Sequence, residues 1–478
     1  MALALPLVLD LDGTLHKTDL FWEGVLYLAK HLPFQALKII GLAALKGKVA
    51  AKLALESQMH HAPLPALPWD ERVLAAAQAT EKQKRTVVVA TGSPQGWVEA
   101  ILKAKGLTWR VMGTTASSGN FVGPIKAAAL VAEFGEKGFD YAGNSTADGA
   151  VWASARGAWV ANASRKARAL AGQNILNEFP PETTALAAWR KALRPHQWLK
   201  NTLVFVPLLA AHLWFSAPDW GLAILAFIAF SLAASGAYIV NDLFDLEADR
   251  AHPRKCNRPF ASGDLPLHHG IIGAKALMAA ALLLALFISP SLAGVVMIYL
   301  FLTFGYSLAL KHHAVTDAAT LALLWVLRLL GGAIALNVPL SQWLMLFAFL
   351  MFYSLALLKR YVELRDLPNR NATKARGYDI EDTAMVAMQG IACGMLAALV
   401  VALYIASPDV GMLYANPSYL LPIPALMVWW VGRIWLLAHK GAVHEDPIVF
   451  AVQDKLTLIA AVFVLLLAVL GGNIAEGF

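Results

Sequence analysis

Residues 238–249 read Tyr238-Ile239-Val240-Asn241-Asp242-Leu243-Phe244-Asp245-Leu246-Glu247-Ala248-Asp249 and close an apolar run that begins near residue 220. A run of about 20 apolar residues has the length of a membrane span. On a helix Asp242, Asp245 and Asp249 fall at i, i+3 and i+7, so the three carboxylates share one face, and Asn241 meets Asp245 at i+4. Carboxylates packed beside hydrocarbon are costly unless a cation neutralises them. Hard oxygen donors without Cys or His suit Mg²⁺, which keeps several waters and bridges to phosphates. The other reading of the motif is a solvated acidic helix end.

Working outward, the same kind of run recurs through the second half of the chain. Candidate spans lie near 201–217, 220–242, 271–289, 291–310, 316–336, 342–359, 383–406, 419–438 and 456–475, which makes nine. The cations gather at one set of ends: Arg190, Lys191, Arg194 and Lys200; Arg250, Arg254, Lys255 and Arg258; Lys311; then Lys359, Arg360, Arg365, Arg370, Lys374 and Arg376. The opposite connections at 216–219, 289–291, 337–341 and 407–418 carry no Lys or Arg. This asymmetry predicts a multi-pass protein of the bacterial inner (plasma) membrane, with the N-terminal half and the charged loops cytoplasmic and the C-terminus outside.

Composition agrees. Of 478 residues 58% are hydrophobic and only 15% charged, against about 25% charged in ordinary soluble chains. The net charge of +7 is explained by topology and lipid headgroups, and no nucleic-acid partner is expected. Two cysteines, Cys256 and Cys393, form no disulfide framework. The apolar opening, residues 1–9, lacks a basic n-region and reads as a buried strand rather than a signal peptide.

A cationic loop follows the acidic motif at once: His252-Pro253-Arg254-Lys255-Cys256-Asn257-Arg258-Pro259-Phe260-Ala261-Ser262-Gly263. Metal ligands on one side and guanidinium or ammonium groups on the other are what a Mg²⁺-diphosphate complex needs. At these residues, and over about 190–478, the chain resembles the UbiA superfamily of intramembrane prenyltransferases. The resemblance implies that Asn241, Asp242, Asp245 and Asp249 hold Mg²⁺ and a diphosphate with Lys255 and Arg258, Asp242 and Asp245 being catalytic. Tyr306-Ser307 and Lys311 match further family positions. Where aromatic prenyltransferases of the family carry a second Asp-rich motif, this chain has Lys359-Arg360-Tyr361-Val362-Glu363, which points to an anion gripped directly. A weaker acidic group, Asp379, Glu381 and Asp382, leaves a second metal open.

That departure, with Arg194-Pro195-His196-Gln197-Trp198-Leu199-Lys200-Asn201 entering the first span, resembles the polyprenyl-phosphate phosphoribosyltransferase branch. The branch implies phosphoribosyl diphosphate as donor, a polyprenyl phosphate as acceptor, and Lys200, Lys359, Arg360 and Glu363 as substrate contacts. The competing expectation is an aromatic prenyltransferase with a prenyl diphosphate donor. Arg328, mid-span, is read either as a substrate contact or as a partner of Asp317 or a helix end. Arg433 has the same two readings, while Asp446 and Asp454 read as caps or loop partners.

The first half alternates short strands, 5–9, 86–90 and 139–142, with helical stretches, predicting a parallel α/β sheet. The long helical insertion before the second strand predicts a helical cap. Its segment 32–55, with Lys38, Lys46, Lys48 and Lys52, reads either as a cap helix packed on the sheet or as an interfacial helix on anionic lipid. Asp10-Leu11-Asp12-Gly13-Thr14 follows the first strand, at the sheet edge where such folds bind ligands. Two carboxylates one residue apart divide nucleophilic and proton-transfer work. With Thr91-Gly92-Ser93, Lys126, and Gly143-Asn144-Ser145-Thr146-Ala147-Asp148, the stretch 1–170 resembles the haloacid dehalogenase-like phosphatases. The resemblance implies Asp10 as nucleophile, Asp12 as general acid/base, and Thr91 and Lys126 on the phosphate. Asp10, Asp12, Asn144 and Asp148 would then form a second Mg²⁺ site. Asn144 departs from the usual Asp there and removes one negative charge.

The expected organisation is therefore a doubly wound α/β phosphatase domain (1–170), a linker (171–190) and an all-α transmembrane transferase domain (191–478). The sequence is compatible with a homo-oligomer.

Overall fold

The computed structural model describes residues 5–59, 62, 64, 66–366, 377–443, 450, 451 and 453–472. Arg370, Lys374, Arg376 and Asp446 lie outside the described residues. Two compact units are formed, one by residues 1–194 and 238–275, the other by 195–237 and 276–478.

In the first unit β1 (Leu7–Leu9) is followed by α1 (Leu20–His31), α2 (Pro33–Met59) and α3 (Glu71–Lys82), the expected helical insertion. Then come β2 (Val87–Pro94), α4 (Gln95–Ala104), β3 (Arg110–Thr114), α5 (Pro124–Phe134), β4 (Asp140–Gly143), α6 (Gly149–Ser154), β5 (Gly157–Ala161), α7 (Arg165–Leu170), β6 (Ile175–Phe179) and α8 (Ala185–Leu193). The strands form one sheet in the order β3-β2-β1-β4-β5-β6, with every pairing parallel. Leu7 pairs with Val87 on one side and Asp140 on the other. Alternation sends Leu7 and Leu9 into the core beneath the inserted helices, and Val8 into the opposite core with Val88, Leu130 and Trp152. Both faces of β1 are thus dry, as a central parallel strand requires. The stretch read as a linker, 171–190, instead contributes β6 and the first turns of α8. β6 pairs with β5 from Ile175 opposite Ala158; Asn177 and Glu178 interrupt its apolar residues, so no apolar run announces it.

The membrane half runs from a 3-10 stretch, Pro195–Phe205, through α9 (Val206–Ala210), α10 (Ala217–Phe244), α11 (Leu246–Ala251), α12 (Leu267–Ile288), α13 (Pro290–Leu308), α14 (Thr316–Leu336), α15 (Gln342–Arg365), α16 (Thr383–Ala406), α17 (Pro422–His439) and α18 (Lys455–Gly471). Among the described residues seven helices, α10 and α12–α17, are long and apolar enough to cross a bilayer, and α18 is a shorter apolar helix. The count of nine is therefore corrected at 201–217, which forms no single long helix. Polar side chains pin this segment. Asn201 Nδ2 donates to Ser231 Oγ (3.0 Å), Asn201 Oδ1 accepts from Arg328 Nε (2.6 Å), and Trp198 Nε1 donates to Ser235 Oγ (3.0 Å). Buried polar groups are placed by such bonds more strictly than apolar ones.

The same segment lies against α14 at a glycine. A Cβ at Gly332 would stand 2.1 Å from the Val204 carbonyl oxygen. Gly332→Leu is expected to cost about 1–3 kcal/mol by overpacking and to lower the unfolding midpoint in detergent. Gly221→Leu, where a Cβ meets open space, is the control, and equal midpoints for the two variants would disprove the close approach.

Candidate functional site

The sheet places the first cluster. β1 is the central strand, flanked by β2 and β4, and chain direction diverges on its two sides; ligand sites in open α/β sheets form at such a point, at the carboxyl ends of the strands. Asp10 leaves β1 there. Lys126, from the first turn of α5, donates to Asp10 Oδ1 at 2.8 Å and to the Tyr141 hydroxyl at 3.0 Å. Tyr141 in turn donates to Asp148 Oδ1 at 2.7 Å. Asp148 Oδ2 accepts the backbone N–H groups of Asn144 (3.1 Å) and Ser145 (2.9 Å), tying the turn after β4. Asp12 Oδ2 accepts from Ser93 Oγ (2.7 Å), and its Oδ1 from the Leu20 N–H (2.9 Å). Thr91 is buried and its hydroxyl oxygen accepts the Ser93 N–H (3.0 Å). Gly13 has φ +76° and a Cβ there would strike the Asn144 amide, so this turn requires glycine. The structure brings together Asp10, Asp12, Thr91, Lys126, Asn144 and Asp148 as expected from their order in the chain.

Burial raises the Asp10 carboxyl to about 7, against the pull of Lys126, and raises Asp12 as well, against the Ser93 hydrogen bond. Two carboxylates thus share a dry edge with one close ammonium group. Lys52 of α2 adds a second, donating to the Gly92 carbonyl (2.5 Å) and Asn120 Oδ1 (3.2 Å). A cavity of about 790 Å³ opens over Asp10, Asp12, Lys52 and Lys126, and its lining includes Gly263 and Leu265 from the loop after the Asp-rich segment and His268 from the first turn of α12.

In that segment α10 ends at Phe244 and α11 begins at Leu246, with Asp245 as the intervening cap residue. The expected single helical face is therefore broken. Asp242 and Asp249 still converge: Arg258 Nη1 donates to Asp242 Oδ1 (3.1 Å) and Asp249 Oδ2 (2.7 Å). Arg194 Nη2 reaches the same Asp242 oxygen at 2.5 Å, its guanidinium lying over the Tyr238 ring. Asp245 instead accepts from Asn241 Nδ2 at 3.0 Å. Lys255 sits exposed in a short 3-10 turn. Among the described residues no group of three or more His, Cys, Asp or Glu side chains is gathered closely enough to hold a metal ion unaided. Arg250 ties the segment to the helical insertion, donating to Glu23 Oε1 (2.6 Å), the Ala66 carbonyl (3.0 Å) and the Ala261 carbonyl (3.1 Å).

The remaining membrane residues belong to the second unit. Arg360 is almost fully buried. Its Nε stands 2.5 Å from Asp317 Oδ2, it also bonds Glu363, and its Nη2 donates to the Tyr306 hydroxyl (3.2 Å). Tyr378 donates to the other Asp317 oxygen at 2.6 Å. Arg360 is thus a paired cation, as Arg194 and Arg258 are. Arg328 is held by Asn201, the Leu324 carbonyl and Tyr299, not by Asp317. Arg433 forms a two-point ion pair with Asp454 (2.7 and 2.9 Å), and Asp454 caps α18 by accepting from the Thr457 N–H. Asp379 and Asp382 form a reciprocal capping box ahead of α16. Lys200 and Lys311 are half-buried in the 3-10 turns Pro195–Phe205 and Leu310–His312, and Lys359 is half-buried in α15.

Sequence reasoning did not assign roles to Tyr141, Ser93, Lys52 or Tyr378. The first two bridge groups far apart in sequence, and no spacing rule could have paired them. Arg194 was read as a charge before the first span and as the start of the Arg194–Asn201 stretch, without a partner assigned to it; its position one residue ahead of Pro195, at the end of α8, was the available signal.

The UbiA prenyltransferase family model matches residues 203–452. An uncharacterized protein of Sinorhizobium fredii, y4nM, is 35% identical over 96% of this chain and 91% of its own length. The decaprenyl-phosphate phosphoribosyltransferase of Mycolicibacterium smegmatis is 36% identical over 41% of this chain and 63% of that protein. A solved UbiA homolog from Archaeoglobus fulgidus, bound to GPP and Mg²⁺, superposes with a TM-score of 0.45 and 15% identity over 59% of this chain and 96% of that one. With a family match across more than half its length and seven apolar helices of spanning length, the chain is a multi-pass membrane protein that belongs to the UbiA prenyltransferase family.

Proposed function

We propose that the membrane half transfers a 5-phosphoribosyl group from phosphoribosyl diphosphate to a polyprenyl phosphate. We further propose that the sheet-bearing half is a haloacid dehalogenase-like phosphatase that then removes the 5-phosphate. The observation that carries the first part is the interleaving of Asp242 and Asp249 with Arg194 and Arg258. Asp242 and Asp249, two carboxylates that aim at one cationic atom, would hold a Mg²⁺ ion. The arginines suit the remaining diphosphate oxygens. When bound, Mg²⁺ would supply charge neutralisation at the leaving group.

The chemistry asks little else of the chain. A lipid phosphate oxygen attacks the anomeric carbon, the bond to diphosphate breaks, and diphosphate leaves with both bonding electrons. Arg194 and Arg258 stabilise the departing charge, and positioning does the rest. The donor is supported by the likeness to the mycobacterial phosphoribosyltransferase. The pairing of Arg360 with Asp317 and Glu363 leaves that residue an organising role for Tyr306 and Glu363. The second reading is an aromatic prenyltransferase with a prenyl diphosphate donor, against which Lys359-Arg360 in place of aspartates argues.

At the sheet edge, the parallel order around β1 and the Lys126–Asp10 contact support a phosphatase reading. Asp10 would attack the 5-phosphorus while Asp12 protonates the departing sugar oxygen; water would then hydrolyse the aspartyl phosphate, with Asp12 as base. The raised Asp10 and Asp12 carboxyls fit a site completed by a cation, with Asn144 and Asp148 as the added oxygen donors. The Lys and Arg distribution supports a cytoplasmic position for this half, in a bacterial inner membrane.

Purified protein with Mg²⁺ should release diphosphate from phosphoribosyl diphosphate plus polyprenyl phosphate, and not from prenyl diphosphate plus an aromatic acid; the reverse preference overturns the donor. Chelation by EDTA should stop release. Asp242→Ala and Asp249→Ala should each lower kcat by about 100-fold or more, the scale of losing a charge-stabilising group, and wild-type rates in both would dismiss the site.

The second step has its own readout. Asp10→Asn should release diphosphate at the normal rate while the 5-phosphorylated lipid accumulates, detected by mass spectrometry. Normal appearance of the dephosphorylated lipid would remove the phosphatase from the scheme.

A further inference from the structure

Helix α2 carries apolar side chains on two opposite faces. Ala36 and Ile39 are buried in the core beneath the sheet's helical insertion. On the far side Phe34, Leu37 and Leu45 are 86%, 66% and 87% exposed, and Ile40 is exposed beside them. At 100° per residue Phe34, Leu37, Gly41 and Leu45 fall on one stripe. A Cβ at Gly41 would meet nothing within 4 Å, so the stripe is open along its length within this unit. A surface helix ordinarily turns its polar side to water; this one does the opposite.

The charges around the stripe are of one sign. No Asp or Glu occurs between Glu23 and Glu56. Lys30, Lys38, Lys46 and Lys48 are all exposed, whereas Lys52 is turned inward onto Gly92. The helix is interrupted at Gly47, φ +85°, so the apolar stripe ends where Lys46 and Lys48 stand together. Exposed Phe and Leu rimmed by lysine, without a single carboxylate, match the chemistry of an anionic lipid surface.

We propose that residues 33–46 form an interfacial helix that rests on the anionic face of the bilayer, with Phe34, Leu37 and Leu45 among the acyl-chain boundary and the lysines at the headgroups. The inference is independent of the chemistry of either site. It gives the sheet-bearing half a membrane attachment of its own, beyond the chain connections to the spans.

The test uses the full chain with Cys256→Ser and Cys393→Ser and a single environment-sensitive fluorophore at Leu37→Cys or Leu45→Cys, in nanodiscs of phosphatidylcholine with or without phosphatidylglycerol. The exposed Gln173→Cys is the control site. The labels at 37 and 45 should shift to the blue and be quenched several-fold more than the control by lipids brominated in the acyl chain. Phosphatidylglycerol should strengthen the effect, and Lys38→Glu with Lys46→Glu and Lys48→Glu should abolish that strengthening. Quenching no greater than at 173 overturns the proposal. So does a blue shift without lipid quenching, which would mean a protein covers the face, and so does quenching indifferent to phosphatidylglycerol.

Discussion

Asp242 and Asp249 are withdrawn from water at the end of a membrane-spanning helix and held against Arg258. An unpaired charge there would cost several kcal/mol, so the chain must return a cation to that point, and it does so twice. Arg258 arrives from the loop immediately downstream and Arg194 from the end of α8. Much of the first unit's membrane-proximal architecture follows from satisfying this pair. The loop must fold back over α11, and α8 must end where its last guanidinium meets Asp242. The second unit obeys the same constraint with different residues, since buried Asp317 and Arg360 find each other and recruit Glu363 and Tyr378. In both units, cations written into the sequence beside membrane spans serve first as partners to acids.

This explains what was and was not legible before the structure. The central strand β1 and Asp10 at its end could be read because an apolar run and an Asp-x-Asp turn are local signals. The gathering of Lys126, Asn144 and Asp148 followed from their order on successive strand ends of a parallel sheet. β6 could not be read, because Ile175–Phe179 carries Asn177 and Glu178 on an edge strand and offers no periodicity. The segment 201–217 looked like a span by length and hydropathy alone. Its helix is displaced by bonds from Asn201 and Trp198 to residues 30 and 37 positions away, and hydropathy does not record them. The partner of Arg360 was hidden for a related reason: Asp317 lies far away in sequence, and no local signal pairs the two.

The Asp-rich segment also belongs physically to the sheet-bearing unit. Arg250, one residue after Asp249, bonds Glu23 in α1, and Glu23 accepts from Thr18 in the loop that follows Asp12. Arg250 and Glu23 are both nearly buried, so their separation would leave each an uncompensated charge. Gly263 and Leu265, from the loop that carries Arg258, line the cavity over Asp10. On the proposed reaction order, the phosphoribosyl group leaving the carboxylate–arginine cluster on its lipid would meet a cavity wall made by that very loop. On that proposal the ion pair that fixes the loop would bear on both steps, on the transfer through Arg258 and on the hydrolysis through the cavity's shape.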